Sequence, residues 1–375
     1  MPRQTTLETQ ADETAAPQPD RPRRRMTLRD LFYGLGFVVL LIAALTLGRP
    51  YLTPIAVAVL IWFLINALAD ALSFRAPALP RAVCTAAAMG VLLVGVLAVI
   101  QIVARNVGAL TEGLAGVDER LLAAANQAMA AVGLAGPIDL EAILSGYDLE
   151  GVLTRVLSAA RELVGGVALV FLYVMFLLVD QRYYEAKLRA LAPDPERRAW
   201  LRATLKHIAD ETRAYLWLMT LISLGVGVAT GLTLWVFGVA GAAFWGFLAF
   251  GLNFIPTIGS ILGVAIPCVY ALLQFEDPSR LLVLIPVLAA IQFTAGEVVL
   301  PRVMGDRLNL SGFVILLLLV VWGAMWGPAG MFLAIPITVI LMIVFSQFPR
   351  TRPIALALSR SGRLAEPLDP VEDRR

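Results

Sequence analysis

One histidine, two cysteines and two lysines are the whole stock, among 375 residues, of side chains that most often ligate metals, close disulfides or cradle nucleotides. Cys84 and Cys268 lie far apart, each inside an apolar run, so no CxxC pair or disulfide framework is available and both read as buried thiols. His207 sits on a charged amphipathic stretch with no ligand partner at helical spacing, which removes a metal site. Lys187 and Lys206 follow Ala186 and Leu205, so the Gly-Lys of a phosphate-binding loop is missing, and a built-in nucleotide motor with it. HExxH and GxSxG are absent as well. These gaps predict a protein that is not an enzyme and needs no cofactor or metal.

Charge is scarce too: 15% of residues are charged, against about 25% in soluble domains. Hydrophobic residues make up 59% of the chain, mean hydropathy is +0.79, and apolar runs of 17 or more residues recur. The pattern predicts an all-α polytopic membrane protein with about eight hydrophobic elements.

Residues 1–30 carry Thr, Ala, Pro and Gln, then Arg21-Pro22-Arg23-Arg24-Arg25. Such a stretch cannot bury apolar surface and is predicted to be a disordered basic tail. The apolar segment starts too late for a signal peptide, and no small-residue cleavage site follows. Arginines beside a first span read as a cytoplasmic anchor rather than as nucleic-acid contacts. Three spans fill residues 31–103: Leu31–Leu47, turned by Arg49-Pro50; Ile55–Leu72; and, after Arg75 and Arg81, Val83–Val103. Asn66 and Asp70 fall near the end of the second, where interfacial placement is a plainer reading than an ion site. Residues 104–162 turn soluble-like, with eight acidic residues against four arginines. Low arginine density assigns them to the non-cytoplasmic side. Leu149, Val152, Leu153, Val156, Leu157, Ala160 and Leu163 keep helical spacing into a fourth span, Leu163–Val179. Residues 180–213 hold eight basic and six acidic residues and read as cytoplasmic amphipathic helices divided by Pro193 and Pro195. Residues 214–346 form the predicted core. It opens on the fifth span, Tyr215–Phe237, where Gly225, Gly227 and Gly231 offer a close-packing face. Residues 347–375 are a cytoplasmic tail.

Two runs in that core are too long to cross straight. Gly241–Phe275 as one helix would extend ~50 Å against a hydrocarbon core of ~30 Å, more than tilt reconciles. Asn253 to Ser260, with Pro256 and Gly259, is where its chemistry allows a break. After a span at Leu281–Leu300 comes Gly312–Ser346, equally long and interrupted at Trp322–Gly330. Ala265-Ile266-Pro267 in the first run has a counterpart in Ala334-Ile335-Pro336 of the second. Either each run crosses once, giving eight spans, or each is a re-entrant hairpin beside six full spans. The hairpin version places Arg302 and Arg307 inside, as the positive-inside rule prefers, and makes an inverted repeat whose broken helices meet near the midplane.

At these residues the sequence resembles the AI-2E family of bacterial transporters. The resemblance rests on Gly238-Val239, Leu252-Asn253-Phe254-Ile255-Pro256-Thr257-Ile258-Gly259, Gln292, Glu297 and Leu300-Pro301-Arg302-Val303-Met304-Gly305. It continues through Gly323, Trp326-Gly327, Gly330 and Ala334-Ile335-Pro336, and the order of elements agrees from about residue 31 to 346. One departure is Ser311-Gly312, where the family usually has His-Pro. The resemblance implies a homo-oligomeric secondary transporter of the bacterial inner membrane, multi-pass; the arginines at 21–25 and Arg350, Arg352, Arg360 and Arg363 predict that both termini are cytoplasmic. The family takes its name from export of the furanone autoinducer-2, and other members resemble Na+(Li+)/H+ antiporters. The implied partners are a small solute, or a monovalent cation and protons, and the lipid bilayer, with no nucleic acid.

Candidate path residues are Asn253, Pro256, Thr257 and Gly259 at the first break and Trp326, Gly327 and Gly330 at the second, with Gln292 and Glu297 on the span between. Gly263, Pro267, Pro301, Gly305 and Pro336 read as structural positions of the same motifs. Asn253 and Thr257 bring polar groups to a solute or ion, or else belong to a kink held by neighbouring helices. An ionisable group in a span costs ~2.5–3.5 kcal/mol at its centre, which makes Glu297 a coupling carboxylate or, near Pro301, a salt-bridge partner of Arg302 or Arg307. Trp245, Trp322 and Trp326 could stack on a small ring, though packing or interface roles are commoner. Competing functions are a membrane scaffold or sensor, which has no need of polar broken helices, and a channel, whose flux would not saturate.

Overall fold

The computed structural model describes residues 28–113, 149–275, 277–304, 309–348 and 351–362. The basic tail, most of the segment predicted to be non-cytoplasmic, Gly305, Asp306, Arg307 and the last thirteen residues lie outside the described residues. Among the described residues there is helix and no strand, apart from one isolated bridge between Leu310 and Ser359. Helix α1 (Leu28–Leu47) forms a unit of its own; its 20 residues extend ~30 Å and include the apolar stretch Phe32–Leu47. Six other helices are long and apolar enough to cross a membrane. One of these six, Gly312–Gln347, is the second of the two long runs.

The second unit begins with α2 (Arg49–Arg75), α3 (Arg81–Gly113) and α4 (Leu149–Asp180). Small side chains let these helices approach: Ala58 and Ala69 of α2 and Cys84 and Ala88 of α3 are buried together with Ile65 and Val174. Asn66 is buried, its Nδ2 donating to the Trp62 carbonyl at 2.8 Å. Asp70 accepts from Arg81 at 2.9 Å and from Arg213 at 3.4 Å, tying α2 to α3 and to a later helix. Both cysteines are free and buried.

After the short α5 (Tyr184–Leu191), α6 runs unbroken from Pro195 to Val236. Asp194 caps it by accepting from Arg197 N at 2.9 Å, and Pro195 occupies a first-turn position where no N–H is needed. At 42 residues this helix is ~63 Å long. The predicted amphipathic helix and the fifth span are therefore one element, since nothing between Arg213 and Tyr215 breaks it. Gly227 and Gly231 admit the next helix, α7 (Ala242–Leu252): a Cβ on Gly227 would fall 2.8 Å from the Gly246 carbonyl oxygen and 2.8 Å from Phe250 Cβ. Gly225, expected on the same face, meets nothing within 4 Å. It lies a quarter turn or more from that seam, because residues two apart on a helix face different ways.

The first long run is α7 and α8 (Ile258–Gln274), parted at Asn253–Thr257. The arms fold back on each other. Gln274, at the end of α8, donates to the Gly238 carbonyl and accepts from Ala240 N, both at 2.7 Å, so the two ends of the run are pinned together. Trp245 of α7 packs on Tyr270 of α8 with ring centroids 5.1 Å apart. The turn beyond is capped by Asp277, whose carboxyl is held below its usual range by the Ser279 hydroxyl and N–H. Then come α9 (Leu281–Phe293), a π-helical turn (Thr294–Val299) and α10 (Leu300–Met304).

The second long run, α11 (Gly312–Gln347), is also not straight. Gly327 has φ 65° and ψ −148°, outside helix. Leu319 and Ala334 are buried in one cluster with Ile315, Trp322 and Met331, although fifteen helical residues would separate them by ~22 Å. A Cβ on Gly330 would overlap the Trp322 carbonyl, eight residues back. The chain therefore reverses at Gly327. A last helix, α12 (Arg352–Leu358), returns the chain to the start of this run: Ser311 N donates to the Leu358 carbonyl at 3.1 Å and Arg360 N to that of Asn309 at 2.8 Å.

Candidate functional site

The first turn packs on the arms of the second hairpin. Ile255 and Ile258 pack with Leu319 and Ala334, which flank the bend at Gly327 on either arm, and the Phe254 and Phe332 rings lie tilted with centroids 4.8 Å apart. Each turn is shaped by a glycine lying on the carbonyl that ends the incoming arm: Gly259 on Leu252, Gly330 on Trp322. Thr257 is exposed, with φ 62° and ψ −60°, a strained backbone conformation for a β-branched residue. Pro256 is half-buried beside it, and Gly259 is buried.

Below the first turn is a buried polar layer. Asn253 Nδ2 donates to Ser223 Oγ of α6 at 2.9 Å, both residues being buried. One helical turn earlier, Ala249 is buried with Val226 and Ala295. At that level Gln292 of α9 points at α8: a Cβ on Gly263 would lie 2.8 Å from Gln292 Nε2 and 4.0 Å from Ala249 Cα. Gly263 is therefore small because an amide fills the space a side chain would take. Gln292 is only 5% exposed, yet neither its Oε1 nor its Nε2 has a hydrogen-bond partner. Leaving an amide buried and unpaired costs ~1–3 kcal/mol in proteins.

Glu297 is elsewhere. It lies on the exposed side of the π-helical turn and forms no ion pair with Arg302. Of the two expected partners, Arg302 does not pair with it, and Arg307 lies outside the described residues. π-Turns are frequent where helices carry function. At the second turn Trp326 is buried and stacks on Trp322, centroids 5.1 Å apart, while Gly327 is half-buried. Pro267 and Pro336 are buried, Pro301 is exposed, and Gly305 lies outside the described residues. Trp245 is packing rather than lining: it is buried, and its Nε1 donates to the Ala240 carbonyl. Among the described residues no three His, Cys, Asp or Glu side chains converge as a metal site would require.

Three features had no signal specific enough to mark them in the sequence. Ser223 is one serine in an apolar span, and only its contact with Asn253 sets it apart. The π-turn leaves no composition mark. Arg49, which reads as a simple turn residue, reaches the second turn at Gly327.

Six apolar helices of membrane-crossing length, one of them (α11) bent back at Gly327 against the broken pair α7 and α8 over buried polar groups, define a multi-pass membrane protein of transporter class. The chain belongs to the AI-2E transporter family, which it matches over residues 35–350. It is 27% identical over 330 residues to the AI-2 transport protein TqsA of Escherichia coli (strain K12), covering 87% of this chain and 94% of that one. YhhT of the same strain is 35% identical over 202 residues, 53% of this chain and 56% of the relative. YrrI of Bacillus subtilis (strain 168) is 28% identical over 212 residues, 56% and 59% of the two chains.

Proposed function

We propose that the protein is a secondary transporter that exports a small solute, of the autoinducer-2 kind, across the bacterial inner membrane. The observation that carries this reading is Gln292, a buried amide with both polar atoms unpartnered beside a broken helix. Static packing gains nothing from such a group, whereas a passing solute would give it partners. The two hairpins are re-entrant in this reading, the first from outside and the second from inside, with both termini cytoplasmic. Ile255 of the first turn packs on Leu319, eight residues and ~12 Å short of the second turn. Two tips that pass each other in this way suit opposed hairpins better than parallel ones. Six spans with two hairpins, and a homo-oligomeric assembly in the bilayer, belong to the same proposal. The relative named for AI-2 transport supplies the solute class to test. The test is counterflow in proteoliposomes with autoinducer-2, Na+ and Li+ compared under an imposed pH gradient. Saturable counterflow of autoinducer-2 supports the reading; exchange of Na+ or Li+ for protons alone replaces it with antiport.

Glu297, an exposed carboxylate in the π-turn, is the group proposed to couple flux to a cation or proton. Glu297→Gln is expected to abolish gradient-driven flux while the thermal midpoint stays within a few degrees of wild type. Unchanged flux with an unchanged pH profile would remove Glu297 from the mechanism. Topology is tested by single cysteines in a cysteine-free background. Asp277→Cys should react with an impermeant maleimide from the periplasmic side of spheroplasts, and Ser361→Cys only after permeabilisation. Protection of residue 277 until permeabilisation would replace the hairpins by eight full spans.

A further inference from the structure

Arg49 opens α2, and nothing in α2 accounts for it. A cation in the first turn opposes the helix dipole, no acidic residue stands in that turn, and among the described residues Arg49 makes no ion pair. Its guanidinium lies against the tip of the second hairpin: a Cβ on Gly327 would fall 2.9 Å from Arg49 Nη2 and 3.6 Å from Cζ. With φ 65° and ψ −148°, Gly327 adopts backbone that only glycine tolerates. The tip is therefore both bent and bare where the guanidinium rests on it.

Thr53 is one helical turn along the same face of α2. Threonine hydroxyls in this protein commonly donate to the carbonyl four residues back, as those of Thr46, Thr85, Thr220, Thr233 and Thr338 do. The Thr53 hydroxyl does not; it is buried without a partner, as are those of Thr204 and Thr212 in the first half of α6. A guanidinium offers five N–H donors and a threonine one more; the exposed guanidinium lies on the hairpin tip, and among the described residues no carboxylate pairs with it.

We propose that Arg49 and Thr53 form a binding point for an oxyanion, a carboxylate or phosphate, at the tip of the second hairpin. The oxyanion belongs to a phospholipid headgroup or to a small anionic solute; autoinducer-2, a furanone with neither carboxylate nor phosphate, is not its ligand, so the site stands apart from the transport reading above. A planar guanidinium takes such a group through two parallel hydrogen bonds, and the same charge repels Na+ and Li+ from this tip.

The experiment measures the thermal midpoint of the full chain in neutral detergent at constant ionic strength, with sodium lactate, sodium phosphate, sodium chloride or short-chain phosphatidylglycerol added. Lactate or phosphate should raise the midpoint of the wild type above the chloride control. Arg49→Gln should abolish that response, and Arg49→Lys, which keeps the charge but not the fork, should need about tenfold more anion. Thr53→Val should weaken the response without lowering the midpoint in chloride. A rise with phosphatidylglycerol alone identifies the headgroup as the source. No rise with any oxyanion, or equal rises in wild type and Arg49→Gln, overturns the site. Normal autoinducer-2 counterflow alongside such a result leaves the transport reading standing. Oxyanion binding without counterflow of any solute removes the transport reading and leaves the site.

Discussion

Gly259→Ala and Gly330→Ala are each expected to abolish transport and to lower the thermal midpoint, by overpacking that costs about 1–3 kcal/mol. In both, the added methyl would overlap a main-chain carbonyl, that of Leu252 or of Trp322, and a carbonyl cannot swing away as the end of a flexible side chain can. The turn must open instead. Opening the first turn pulls Ile255 and Ile258 out of the cluster they share with Leu319 and Ala334, so a local clash becomes loss of the contact between the hairpins. Gly251→Ala is the control. Its methyl meets nothing within 4 Å and sits in helix, where alanine is favoured over glycine by about 0.5–1 kcal/mol. Flux and midpoint measured on the three variants in parallel should separate cleanly. Wild-type flux in Gly259→Ala would mean that the turn has no bearing on transport.

The breaks themselves could be read from the chain because length arithmetic needs no partner. An apolar run of 35 residues from Gly241 to Phe275 exceeds the bilayer whatever surrounds it, and Pro256 and Gly259 mark where it yields. The break in Gly312–Gln347 was legible for the same reason, whereas length alone leaves crossing and fold-back equally open, and it is Gly327, outside helix, that turns the chain. What pairs across the fold was not legible. Ser223 and Asn253 stand thirty residues apart, and Arg49 and Gly327 much farther, so no local periodicity connects them. Glycine faces illustrate the limit well. Gly225 and Gly227 are equivalent in composition and two residues apart, yet only Gly227 lies on the seam with α7. The distinction depends on which side of α6 the hairpin occupies, and that is a tertiary fact. The continuity of α6 past Arg213 was hidden for the opposite reason: polarity changes along the chain at a point where backbone conformation does not.

Gln292→Leu is expected to make the protein more stable and to stop it transporting. The wild-type amide is buried with two unpartnered polar atoms, and each such group costs ~1–3 kcal/mol of desolvation that an apolar side chain avoids. Leucine is shorter than glutamine, so the space at Gly263, where the amide nitrogen now lies, is relieved rather than crowded. A gain of about 1–2 kcal/mol in detergent unfolding is the expected balance after loss of some packing. Transport should fall at least tenfold, because the solute then meets a hydrocarbon surface where it had a donor and an acceptor, and tenfold corresponds to about 1.4 kcal/mol. The two readouts move in opposite directions only if Gln292 is kept for what passes by it. A lower midpoint would show that the amide is satisfied within the fold, and unchanged flux would show that no solute uses it. Gln292→Glu completes the test by keeping the shape and the acceptor while losing the donor. Residual transport in this variant assigns recognition to the carbonyl oxygen, and its absence assigns it to the amide N–H.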